Sequence, residues 1–361
     1  ATPLAPVISS ATHANEASWY VSNDPDFSWT APSSASGIDG YSYVLDQVSN
    51  TTPDTVSEGT QTSKTDYLDY ANGTWYFHVR ARNAAGTWGS TDHYTINIDD
   101  ATPLAPDSIA AKTDSGGSTI TASTWQIDND PYFSWSAPTP APTSGIAEYK
   151  YRMDNSTIND ANGTSTGLTT NVTLANDSLS DGTHIFYVAA KNNAGTWGTV
   201  GSFVIWVDAA TPLAPVISSA THANEASWYV SNDPDFSWTA PSSASGIDGY
   251  SYVLDQVSNT TPDTVSEGTQ TSKTDYLDYA NGTWYFHVRA RNAAGTWGST
   301  DHYTINIDDA TPLAPVISSA THANEASWYV SNDPDFSWTA PSSASGIDGY
   351  SYVLDQVSNT T

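Results

Sequence analysis

Large apolar residues alternate with polar ones in short runs along this chain, and each run is bounded by glycine, asparagine or proline. The strongest run is 75–82, Trp-Tyr-Phe-His-Val-Arg-Ala-Arg, between an Asn-Gly turn and an Asn-Ala-Ala-Gly turn. Period-two alternation between turns is the pattern of a half-buried strand. Here Trp75, Phe77, Val79 and Ala81 share the inner face. Tyr76 and His78 fall on the other, so His78 is expected to face solvent. The same reading gives strands at 7–10, 27–29, 41–45, 60–67 and 93–98, with 19–21 leading into an Asn-Asp-Pro-Asp turn. That makes about seven short strands in 100 residues and no helical period. The expected class is all-β, an antiparallel two-sheet sandwich.

The pattern returns. Residues 1–100 and 210–309 are identical, and 310–361 repeat 1–52 without a change. Between them 101–209 is a diverged version that keeps Ala-Thr-Pro-Leu-Ala-Pro at its start and Asn192 to Trp197 near its end. A period near 100 is too long for a solenoid unit and suits a string of whole domains. The expected divisions are 1–100, 101–209, 210–309 and a first half-repeat at 310–361. The half-repeat suggests a window on a longer array, or completion by strands from another chain. At each joint, prolines three apart favour an extended, fairly stiff connection.

The stretch 70–81, Tyr-Ala-Asn-Gly-Thr-Trp-Tyr-Phe-His-Val-Arg-Ala, resembles the penultimate strand of fibronectin type III or related Ig-like domains, and Trp29 resembles their core tryptophan. Such repeats are similar to modules of prokaryotic surface, filament and secreted proteins. The resemblance implies linear arrays of Ig-like or Fn3-like sandwiches. It makes Tyr76, with its copy Tyr285, the corner tyrosine whose hydroxyl ties to backbone. Ile185 stands at that place in the second repeat, so the tie is absent or different there. Trp29 and Trp135 are core residues in this reading, with Trp88 and Trp197 at strand ends.

Composition narrows the function. There are 39 acidic against 10 basic residues, a net charge of −29, which disfavours nucleic acid and anionic membranes as partners. No cysteine means no disulfide, thiolate metal site or thiol nucleophile. No apolar run is long enough to span a membrane.

Candidate chemistry is sparse. Asn23, Asp24 and Asp26 in the turn, with Asp99 and Asp100 at the joint, offer hard oxygen ligands of the kind Ca2+ takes, or serve as ordinary turn and strand-end residues. Six glutamates, five of them copies of Glu16 or Glu58, offer no carboxylate pair for hydrolysis, and His13, His78 and His93 show no ligand spacing. No enzyme is expected. Trp19, Tyr20, Tyr41, Tyr43, Trp75 and Trp88 are possible sugar platforms or simply sandwich filling. Sequons at Asn50, Asn72, Asn155, Asn162, Asn171, Asn176, Asn259, Asn281 and Asn359 permit glycosylation.

Several indistinguishable copies of one module give reach and multivalency. The expectation is therefore an extracellular, cell-surface structural protein: an adhesin stalk or a filament, with other copies of itself, glycans or a neighbouring surface as partners. The alternatives are a polysaccharide-binding array and an accessory region of a secreted hydrolase.

Overall fold

A computed structural model describes residues 1–174 and 179–357. Among them there is no helix, hence none long and apolar enough to cross a membrane. The chain divides into two compact units, Ala1–Thr124 with Asp128–Val207, and Trp125–Ile127 with Asp208–Thr361.

In the first unit, the first repeat contains Val7–Ser9 (β1), Trp19–Tyr20 (β2), Phe27–Thr30 (β3), Ile38–Asp46 (β4), Ser63–Lys64 (β5), Gly73–Asn83 (β6) and Trp88–Ile98 (β7). They form a three-stranded sheet, β1-β3-β5, and a four-stranded one, β2-β7-β6-β4. All pairings are antiparallel except β2 with β7, where Trp19 and Tyr20 lie parallel to Asn97 and Ile98. Alternation correctly located the long strands but misjudged some ends. The expected strand 60–67 is only Ser63–Lys64, and β7 begins at Trp88, because the turn after Asn83 closes in a few residues, with Asn83 donating its N–H to the Thr87 carbonyl at 3.1 Å.

The core lies between the sheets. Phe27 and Phe77 stack at 4.1 Å, and Trp29 packs on Phe77 and Tyr41. Phe77, Val79 and Ala81 are wholly buried, and Trp75 packs half-buried against them.

The second repeat uses Asp107–Lys112 (β8), Thr119–Ile120 (β9), Trp125–Gln126 (β10), Tyr132–Ser136 (β11), Ile146–Met153 (β12), Thr164–Gly167 (β13), Asn171–Thr173 (β14), Gly182–Asn192 (β15) and Gly201–Val207 (β16). One sheet runs β14-β11-β8-β9, and the other holds β16, β15, β12 and β13 side by side. Phe133 on Phe186 at 4.1 Å reproduces the stacked pair of the first repeat despite the divergence around it.

In the second unit, Val216–Ser218 (β17), Trp228–Tyr229 (β18), Phe236–Thr239 (β19), Ile247–Asp255 (β20), Ser272–Lys273 (β21), Gly282–Asn292 (β22) and Trp297–Ile307 (β23) repeat the arrangement of β1 to β7. Only Val316–Ser318 (β24) and Ser337–Thr339 (β25) pair beyond them among the described residues. There Phe336, Trp338 and Tyr352 are exposed, whereas their counterparts Phe27, Trp29 and Tyr43 pack against Phe77.

Candidate functional site at the repeat joint

The most distinctive polar arrangement is built where one repeat ends and the next begins. The chain leaves β7 through Asp99, whose N–H donates to the Tyr20 carbonyl at 2.9 Å and whose side chain is fully buried. Asp99 Oδ2 accepts from the Ser144 N–H at 2.8 Å, the Ser144 hydroxyl at 2.5 Å and the Asn192 amide at 3.2 Å. Ser144 precedes β12, and Asn192 ends β15. One carboxylate thus joins the tail of the first repeat to two separate elements of the second.

The second unit repeats the device. Asp308, after β23, accepts through Oδ2 from the Ser343 hydroxyl at 2.6 Å, the Ser345 N–H at 2.9 Å and the Ser345 hydroxyl at 2.6 Å. Those three bonds hold its carboxyl down at about 2. Asp208, also in this unit, accepts from Ser243 and from the Ser245 N–H and hydroxyl. Burial alone would raise the Asp208 pKa, but the bonds from Ser243, Ser245 and Asn292 outweigh it and bring it below the usual carboxylate range. Charge-assisted hydrogen bonds of this kind are stronger than neutral ones.

The proline-rich leader is docked as well as stiff. Asn192 donates to the Ala101 carbonyl at 3.3 Å and the Thr199 N–H to the Pro103 carbonyl at 3.0 Å. Pro103 and Pro106 are buried. Glycine is required at 198, since a Cβ there would meet the Pro103 oxygen at 2.7 Å. The first repeat shows the same seating, with Asn83 donating to the Ala1 carbonyl at 3.1 Å.

Of the five residues of the calcium expectation, Asn23, Asp24, Asp99 and Asp100 have side chains already engaged, while Asp26 is held through its backbone N–H. The Asn23 amide donates to Asp100 Oδ2 at 3.0 Å, Asp24 Oδ1 accepts from the Asp69 N–H at 2.9 Å, and the Asp26 N–H donates to the Thr12 hydroxyl at 2.9 Å. Asp99 serves the joint. Its Oδ1 is buried with no hydrogen-bond partner, yet one oxygen is far from the six to eight that Ca2+ takes. No group of three or more His, Asp or Glu side chains suited to a metal occurs among the described residues.

Two expectations need correction. The hydroxyl-to-backbone tie is made by Tyr94, which donates to the His13 carbonyl at 2.8 Å, and by its copy Tyr303 to His222. Tyr76 and Tyr285 instead lie half-buried with their rings stacked on His78 and His287. The second repeat has Phe203 opposite Phe186 where Tyr94 lies opposite Phe77, so the missing hydroxyl there comes from Phe203, not from Ile185.

His78 is wholly buried, not solvent-facing. Its Nδ1 lies 2.5 Å from His93 Nδ1 and its Nε2 3.4 Å from Asp46 Oδ1. Burial pushes its pKa below the ordinary histidine value, against the bond and charge of Asp46. The pairing escaped sequence reading because it depends on cross-strand register, not on spacing along the chain.

His13 is also buried, bonded to the Thr12 hydroxyl at 2.9 Å and the Ser22 carbonyl at 3.0 Å. Burial lowers its pKa, as it does for its copy His222. His184, the one histidine of the second repeat, is shifted upward: burial works against its charge but is overcome by Asp154 and the Ser180 carbonyl. A lowered histidine pKa means that the unfolded chain binds more protons, so stability falls as pH drops through about 6.5. A raised one adds stability below that value, which is lost as pH rises. Acidification from about pH 7.5 to 5.5 should therefore weaken hydrogen-exchange protection around His13 and His222, and leave it unchanged or stronger around His184.

The aromatic platforms are largely occupied. Tyr41 is buried, and Trp75 donates its indole N–H to the Ala71 carbonyl at 2.9 Å. Arg80 and Arg82 lie over Trp88 at 4.9 and 5.7 Å, as Lys150 and Lys191 lie over Trp197. Trp29 and Trp135 are in the core, as the family resemblance implies. The sequons differ in availability. Asn50, Asn155 and Asn259 are exposed, Asn162 and Asn171 are half-buried, and Asn72 and Asn281 bond the joint through the Asp100 and Asp309 N–H groups. Asn176 and Asn359 lie outside the described residues.

No family model matches the chain, and no curated protein matches it in sequence. Among solved structures it is similar to the FN1-FN3 domains of chicken CNTN1, at 14% identity and a TM-score of 0.26, covering 84% of this chain and 99% of that one. It is also similar to the fibronectin(III)-like modules of Clostridium thermocellum CbhA, at 11% identity and a TM-score of 0.27, covering 56% of this chain and 94% of that one. In fold, the chain is all-β, a tandem of two-sheet sandwiches.

Proposed function

We infer that the chain is an extracellular structural array, the stalk of an adhesin or the body of a surface filament, in which the joints set the geometry from one repeat to the next. The observation that carries this reading is the repeated clamp: Asp99 held by Ser144 and Asn192, and Asp308 held by Ser343 and Ser345. A flexible tether needs no such contact. A spacer that keeps its reach does, because a fully buried carboxylate with its donors removed is costly. Nothing comparable favours catalysis, and of the rings that a polysaccharide-binding array would use, Trp75, Trp88 and Trp197 are engaged by backbone, arginine or lysine, while Trp228 is exposed.

Electron microscopy of the native surface material tests the reading. Beaded threads or regular filaments with a constant repeat are expected. Loose coils without a fixed spacing would overturn it. Retention on polysaccharide that disappears when Trp19 and Trp228 are replaced would favour a glycan-binding array instead.

A further inference from the structure

We propose that His78 and His93 chelate a borderline transition-metal dication, Cu(II) most strongly, and that His287 and His302 form a second, equivalent site. The antiparallel register places His78 directly opposite His93, and His287 directly opposite His302. Nδ1 faces Nδ1 at 2.5 Å in one copy and 2.6 Å in the other.

The neighbouring carboxylate decides what those nitrogens can do. Asp46 Oδ1 lies 3.4 Å from His78 Nε2, and Asp255 Oδ1 3.3 Å from His287 Nε2. A carboxylate can only accept, so the proton of the neutral buried imidazole sits on Nε2 and leaves Nδ1 as a bare lone pair aimed at the second histidine. In the metal-free chain a neutral His93 fills that gap by donating its own Nδ1–H to the His78 lone pair; when that proton is displaced, two imidazole lone pairs converge and a metal dication can take its place. Carboxylate behind imidazole is also the outer arrangement that fixes the tautomer and orientation of a metal-bound histidine.

Access and selectivity follow from the same geometry. The His78 side chain is fully buried and His93 is exposed, so an ion enters from the His93 side. At metal–nitrogen distances of about 2.0–2.1 Å the two nitrogens separate by roughly half an ångström, which the exposed ring accommodates by turning. Imidazole favours Cu(II) and Zn(II) over Ca2+ or Mg2+, with Cu(II) first in the affinity order. The chain's net charge of −29 concentrates cations near it. With no third protein ligand grouped there among the described residues, water completes the shell and the ion exchanges readily. The second repeat is a built-in blank, since Tyr187 lies opposite Ser202 at the matching register.

Titrating the metal-free full chain with Cu(II) alone, followed by calorimetry and electron paramagnetic resonance, tests the assignment. Compared with the unaltered chain, the double variant His93→Ala, His302→Ala should bind two fewer equivalents and lose the imidazole-nitrogen signature of those two ions. The variant His93→Asn, His302→Asn, which keeps a hydrogen-bonding side chain at each exposed position, should show the same deficit with an unchanged circular dichroism spectrum. Equal stoichiometry in the unaltered chain and both variants, or no Cu(II) bound by the unaltered chain at micromolar concentration, would overturn the proposal.

Discussion

Replacing Phe186 by alanine should cost the second repeat about 3–5 kcal/mol, a large share of the stability of a domain of this size. The ring is fully buried, stacks on Phe133 at 4.1 Å and lies within 5.6–5.9 Å of Tyr151 and Trp135. Truncation removes the contact surface between the two sheets at its centre, and the surrounding aromatic rings are too rigid to collapse into the space. The second repeat is the place to make this change because its sequence occurs once. Hydrogen exchange read on its peptides reports it alone, while peptides shared by 1–100 and 210–309 serve as the control. Protection should vanish from 132–136 and 182–192 and persist in the shared peptides. Retained protection in the second repeat would show that the stacked pair is not the centre of its core.

The second large effect belongs to the joint. Removing the Asp99 carboxylate leaves the Ser144 N–H, the Ser144 hydroxyl and one Asn192 donor without an acceptor. At roughly 1–3 kcal/mol for each buried group left unmade, the contact between the two repeats should open rather than bear that loss. Water then satisfies the donors and the joint becomes flexible, while each sandwich keeps its own core. The expected signature of Asp99→Ala is faster exchange at the Ser144 amide and around Asn192, with the strand protection of β6 and of residues 182–190 unchanged.

The sandwich was legible because alternation is local. In β6, Phe77, Val79 and Ala81 lie inward at every second position, and Trp29 and Trp135 sit in equivalent short runs. Edge strands were less legible: Ser63–Lys64 is held by pairing with β3 and by little in its own sequence. The joint was only half visible. The prolines and Asp99 could be picked out, but Ser144 lies 45 residues from Asp99 and Asn192 lies 93 residues away, so only the folded chain brings them together. The histidine pair and the Tyr94 tie were missed for the same reason. Both depend on register between strands and on a loop folding back, which periodicity along one strand does not encode.

Rigidity at the joint is the central claim, and the absence of cysteine makes it directly measurable. Spin labels introduced through Ser90→Cys and Ser156→Cys, both at exposed positions in the first unit, report the distance between the first and second repeats by pulsed double-resonance spectroscopy. A single narrow distribution is predicted for this chain, and a broad one once Asp99→Ala is added. A distribution equally broad in both chains, or equally narrow in both, would contradict the clamp.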